Sequence, residues 1–105
     1  MDHTILVVED EKGIREAIQI YLKNQGYHVF LAENGQEGLE IANRETIHLA
    51  VVDIMMPVMN GIVMCRKLKE DLRTSHIPII LLTAKDSLQD KEEGYQVGAD
   101  SYLTK

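Results

Sequence analysis

The 105 residues make one domain with one modest core. Charged residues at 27% and hydrophobic ones at 45% are ordinary for a globular chain, and the net charge of −6 argues against the basic face that direct nucleic-acid binding needs. No stretch reaches the roughly 18 to 20 apolar residues of a membrane span, the N-terminal ten residues carry acids without a basic start, and the single Cys65 allows no internal disulfide, so a reducing cytoplasm is the expected compartment.

In chain order, Thr4 to Val8 is a short continuous apolar run and reads as a buried strand that stops on Glu9 and Asp10. Ile14, Ala17, Ile18, Tyr21 and Leu22 then recur at helical spacing, and Gly26 is the helix stop. Tyr27 to Ala32 is a second strand. Asn34 caps a second helix that runs through Leu39 and Ala42. Leu49 to Val52 is another apolar run, ending on Asp53 and followed by a loop with Pro57 and Gly61. A third helix covers about 62–70. Ile77 to Leu82 is a fourth strand, with Pro78 near its start, where a missing donor is tolerated. Ser87 caps a fourth helix that ends near Gly98, and Ser101 to Lys105 is a fifth strand. Cys65, between apolar neighbours, is expected to be a small core residue. The run Asp90-Lys91-Glu92-Glu93 is expected to be a solvated helix face.

Strict alternation of strand and helix predicts an α/β fold, a doubly wound five-stranded parallel sheet with helices on both faces. The order 2-1-3-4-5, the flavodoxin-like solution, puts the first helix on one face and the next three on the other. Ligands of such sheets bind beyond the carboxyl ends of the strands, at the switch between strands one and three. Glu9, Asp10 and Asp53 fall there. Three clustered carboxylates are costly unless a cation joins them, and hard oxygen donors suit Mg²⁺.

Thr83 and Lys105, at the ends of strands four and five, converge on the same edge. A cation over three carboxylates leaves room for a phosphoryl oxygen, and a hydroxyl and an ammonium opposite can hold the other oxygens. That is an arrangement for phosphoryl transfer, where positioning and charge neutralisation supply most of the catalysis. One carboxylate can then act as nucleophile and form an acyl phosphate. Asp53 is the best placed, being central and single where Glu9 and Asp10 are paired.

At these residues the sequence resembles a bacterial two-component response-regulator receiver domain of the chemotaxis-regulator type. The matching segments are Ile5 to Glu11, Val51 to Pro57, Met59-Asn60-Gly61, Leu82-Thr83-Ala84 and Gly98 to Lys105, in family order and at family spacing. The resemblance implies that Asp53 takes a phosphoryl group from the phosphohistidine of a sensor histidine kinase. It implies that Glu9 and Asp10 hold Mg²⁺ with the Met55 backbone carbonyl, and that Lys105 pairs with the phosphoryl group. Thr83 would swing towards that group while Tyr102 turns inward, altering the surface that a partner or output domain reads. Two departures stand out. Asn60 occupies a turn position where many members have Asp, and the sequence ends at Lys105, where the family continues with Pro and a fifth helix. The whole chain, 1–105, is therefore expected to be a receiver truncated at the end of strand five, with the face that lacks the fifth helix open to self-association.

Other function classes fit these residues less well. An aspartate-nucleophile phosphatase of the haloacid dehalogenase type needs a second Asp two residues after the nucleophile, and Met55 stands there. A flavodoxin-like mononucleotide binder wants a phosphate-cradling loop after the first strand, but Glu9-Asp10-Glu11-Lys12 would repel phosphate. A plain scaffold has no use for Asp53, Thr83 and Lys105 together. The four histidines are scattered over different elements, which argues against a histidine metal site.

Overall fold

The computed structural model describes residues 3–84 and 88–104, and the side chains of all of these except Leu88 and Gln89. The elements are β1 (Thr4–Val8), α1 (Lys12–Asn24), β2 (His28–Ala32), α2 (Gly35–Arg44), β3 (Leu49–Asp53), α3 (Gly61–Glu70), β4 (Ile79–Thr83), α4 (Leu88–Gln96) and β5 (Ser101–Thr104). The strands form one parallel sheet in the order β2-β1-β3-β4-β5. The central strands are buried almost throughout, with Leu6, Val7, Val8 and Val52 fully shielded. This is why they read as unbroken apolar runs rather than as alternating ones.

Side chains alternate across the pleat and build two cores. Leu6, Val8, Ala50, Val52, Ile79 and Leu81 join Ile41, Met64 and Leu68 of α2 and α3 in the larger one. Ile5, Val7, Val51 and Leu82 face the other way, towards Ile18 and Leu22 of α1. The expected split of one helix against the rest is thus present. Asn34 caps α2 by accepting from Glu37 N at 2.9 Å, and Asn60 caps α3 by accepting from Val63 N at 2.9 Å. Asn60 therefore performs the capping task that an Asp oxygen would perform at the same place.

Several boundaries differ from the sequence reading, each for a local reason. Tyr27 is not in β2, because its N–H still closes the end of α1 on Leu22 O (3.1 Å). The fourth strand starts at Ile79 and not at Ile77, since Ile77 N is used in a turn to Thr74 O (3.0 Å) and its carbonyl accepts from Lys69 Nζ (2.7 Å). That strand continues through Thr83. The third helix includes Gly61. In the charged run, Glu92 and Glu93 are exposed as expected, but Asp90 and Lys91 are half-buried. Ser87 lies outside the described residues.

The apolar stripe of α1 is only half used. Ile18 and Leu22 are packed, whereas Tyr21 stays 64% exposed and Ala17 is exposed beside it. They border an open apolar groove of about 420 Å³ that runs to Ile80 and Leu103. The expectation that this side of the sheet stands uncovered holds for Leu103, 53% exposed, but not for Leu82, which is 7% exposed and belongs to the α1-facing core. No helix among the described residues is long and apolar enough to cross a membrane.

Candidate functional site

β1 and β3 are adjacent, and Val8 is level with Val52. The next residue on each strand is an acid, so Glu9 and Asp53 emerge side by side. Glu9 N continues the ladder to Ala32 O of β2 (3.1 Å), and Ile54 N continues it to Leu82 O of β4 (3.0 Å). Both acids are consequently fixed by sheet hydrogen bonds on either side of them. Glu9, Asp10 and Asp53 each offer a carboxylate oxygen within 4.8 Å of the others. Glu9 (0%) and Asp53 (1%) are buried, while Asp10 is exposed. The two neighbouring acids of the sequence thus divide into an inner and an outer one.

This donor set fits a hard divalent cation: oxygen ligands only, closely spaced, with one open side. Oε1 of Glu9 and Oδ2 of Asp53 are buried and accept no hydrogen bond among the described residues, although each carboxylate has other interactions. Glu9 Oε2 accepts from Glu11 N at 3.3 Å, which orients the inner carboxylate.

The loop after Asp53 is held by close backbone approach. A Cβ at Gly61 would lie 2.2 Å from the Asp53 carbonyl oxygen, and Gly61 N donates to Ile54 O at 2.9 Å. Glycine is required here for proximity and not for a left-handed backbone. Between these points Val58 has φ +70°, and Met59 N donates back to Pro57 O at 2.7 Å. That is a γ-turn centred on a β-branched residue, strained by roughly 1–3 kcal/mol. Met55 is 69% exposed and Val58 84% exposed, so the loop presents apolar side chains beside the acids.

Thr83 ends β4 in register with Thr104 of β5, and it is buried. It therefore stands one residue beyond the level of Asp53, which pairs with Leu82. Lys105 lies outside the described residues. Tyr102 already packs against the larger core and faces the edge of Tyr95 (4.8 Å between centroids). Its hydroxyl sits under the backbone of α4 and donates towards the carbonyls of Asp90 (3.0 Å) and Lys91. Burial raises its phenol above the usual range. Cys65 is fully buried on α3 and its thiol is pushed up to about 11 by burial, so at neutral pH it is an inert packing group.

Two residues escaped the sequence reading. Arg15 is buried on α1, and its Nη1 donates to Glu9 O (2.9 Å) and Asp10 O (3.3 Å). Its sequence signal was a charge three residues before Ile18 and seven before Leu22, on the packed stripe of α1. Gly94 of α4 is the place where Tyr102 fits: a Cβ there would meet the Tyr102 hydroxyl at 1.9 Å and Leu81 Cδ1 at 2.6 Å. A glycine inside a helix is a weak hint of such close approach.

The family model described as "Response regulator receiver domain" matches residues 5–105. The regulatory protein VanR of Enterococcus faecium is 43% identical over 106 residues, which cover 100% of this chain and 44% of VanR. A histidine kinase of Formosa agariphila is 46% identical over 102 residues, which cover 97% of this chain and 7% of that protein. The chain therefore spans less than half the length of these relatives. Among solved structures, chemotaxis protein CheY4 of Vibrio cholerae superposes with a TM-score of 0.95 at 31% identity, covering 100% of this chain and 88% of that one. Response regulator TrrA of Thermotoga maritima, solved in complex with Mg(2+)-BeF, gives a TM-score of 0.87 at 34% identity, covering 98% and 86%.

Proposed function

This chain belongs to the response-regulator receiver domain family, and on that premise we propose that Asp53 is its phosphoacceptor, in a Mg²⁺-dependent reaction with a sensor histidine kinase in the cytoplasm. The observation that carries the reading is the meeting of Glu9, Asp10 and Asp53 within 4.8 Å at the carboxyl edge of the sheet. The switch reading also accounts for the buried Thr83 beside them, which a scaffold or nucleotide binder would not need.

An Asp53 carboxylate oxygen attacks the phosphorus of a phosphohistidine. The new O–P bond makes an acyl phosphate, and the P–N bond breaks with its electron pair left on the imidazole nitrogen. Glu9 and Asp10, with the backbone carbonyl of Met55, are the residues that would hold Mg²⁺. The ion supplies neutralisation of the charge on the transferring group. The Thr83 hydroxyl and the Lys105 ammonium hold the remaining phosphoryl oxygens. Water attack on the same phosphorus releases phosphate and restores the carboxylate, so the chain catalyses its own transfer and resetting. Movement of Thr83 and Tyr102 carries the change to α4 and β5, where an output domain or partner reads it. Because two packings of one sequence are in balance, part of the unphosphorylated population already holds the active form.

Incubation with acetyl phosphate tests this. Intact mass should rise by one phosphoryl group with Mg²⁺ present and stay unchanged in EDTA, and Asp10→Ala should lower the labelling rate by at least about tenfold. Equal labelling with and without Mg²⁺ would remove the metal from the reaction.

A further inference from the structure

We infer that Arg15 is a positioning residue for the metal site, fixing through the backbone the two acids that precede α1. The inference rests on the metal-site reading above.

Besides the bonds from Glu9 N to Ala32 O and from Glu11 N to Glu9 Oε2, the β1–α1 junction has few other restraints among the described residues. Glu11, the N-cap of α1, makes no side-chain cap, and the first turn contains no acid. The carboxylate of Asp10 is exposed and makes no hydrogen bond among the described residues, so its position depends on its backbone. That backbone is held from below by Arg15. One guanidinium nitrogen, Nη1, donates to the carbonyls of both Glu9 (2.9 Å) and Asp10 (3.3 Å), and Nη2 pairs with Glu33 Oε1 at 3.5 Å just after β2. The side chain is about nine-tenths buried whereas Glu33 is mostly exposed, so the two carbonyls are its main anchors.

Three consequences follow from this geometry. First, both carbonyls are tied to the guanidinium, which fixes the backbone from which the two carboxylates branch. Second, the planar fork ties β1, the loop and the end of β2 into one unit, which a flexible ammonium on a longer stem cannot do. Third, a full positive charge lies buried beside a loop whose acids repel one another, which eases their approach before any cation arrives. The backbone that carries the two acids is thus held in place before the ion binds, which lowers the cost of bringing the ligands together.

Arg15→Met should weaken Mg²⁺ binding about tenfold in calorimetric titration, and Arg15→Lys should fall between it and the wild type. In acetyl-phosphate labelling the half-saturating Mg²⁺ concentration should rise by the same factor, while the maximal rate at saturating Mg²⁺ should change by less than about threefold. A purely structural role would lower the melting temperature and leave the Mg²⁺ affinity unaltered. If Arg15→Met does not fold, Arg15→Lys decides: weaker Mg²⁺ binding supports the inference and wild-type binding overturns it. Wild-type chain that binds no Mg²⁺ would instead overturn the metal-site reading itself, and this inference with it.

Discussion

Asp53→Asn should abolish labelling by acetyl phosphate and, in EDTA, make the chain more stable than the wild type. The two effects have one cause. Asp53 is 1% exposed and shares a 4.8 Å cluster with Glu9 and Asp10. Like charges at such spacing and burial repel by a few kcal/mol at an effective dielectric constant near 20. Replacing one carboxylate by the isosteric amide removes much of that repulsion while keeping the shape of the strand end. The expected gain is on the order of 1–2 kcal/mol in urea unfolding without metal, and Mg²⁺ should stabilise the variant less than the wild type. The amide is also no nucleophile, so no mass increase should appear. Residual labelling of Asp53→Asn would place the acceptor elsewhere. A variant less stable than wild type in EDTA would show that the cluster is not strained by charge.

Gly94→Ala should have a comparable effect at the other end of the switch. In an ordinary helix interior this change favours folding by about 1 kcal/mol, because alanine has the higher helix propensity. Here the added methyl would stand 1.9 Å from the Tyr102 hydroxyl and 2.6 Å from Leu81 Cδ1. Leu81 is fully buried and Tyr102 is wedged between Tyr95 and the backbone of α4. Something must move, and overpacking of this kind costs about 1–3 kcal/mol. We therefore expect a net loss in the wild-type background. In a Tyr102→Ala background the obstruction is gone and the same Gly94→Ala change should be neutral or stabilising. The coupling between the two sites should reach about 2 kcal/mol in a double-mutant cycle of urea unfolding. Tyr102 resonances should also shift in Gly94→Ala, as its ring leaves the core. Stabilisation by Gly94→Ala with Tyr102 in place would show that the tyrosine does not occupy this position in solution.

Much of the fold was legible because its signals are local or binary. Buried parallel strands such as Leu49 to Val52 announce themselves as unbroken apolar runs, and alternation with helical periodicity then leaves few topologies. The site was legible for the same reason: Glu9 and Asp53 are each the first residue past an apolar run, so adjacency of two strands brings them together. What could not be read depends on packing between elements distant in sequence. The burial of Glu9 against the exposure of Asp10 depends on how α1 crosses the sheet edge. The role of Arg15 depends on a side chain folding back under the preceding loop: its spacing from Ile18 and Leu22 puts it on the packed stripe of α1, but does not show that it reaches the Glu9 and Asp10 carbonyls. Gly61 reads in the sequence only as part of a loop, yet what it provides is contact with the Asp53 backbone, which only the position of α3 reveals. The strand boundaries at Tyr27 and Ile77 failed because hydrogen bonds to Leu22 and Thr74 compete with the sheet ladder for the same backbone groups. The groove beside α1 shows the reverse case: Ala17 and Tyr21 keep the periodicity of a packed face while standing exposed.

The central claim is that this chain carries a phosphoryl group as an acyl phosphate on one particular aspartate. The most direct measurement is to label the chain with acetyl phosphate and Mg²⁺, reduce it with borohydride, and sequence the peptides by mass spectrometry. An acyl phosphate is reduced to the alcohol, so the account predicts homoserine in place of aspartate at position 53 and at no other acid. Reduction at Glu9, at Asp10 or at no position in a chain that has gained phosphoryl mass would contradict it.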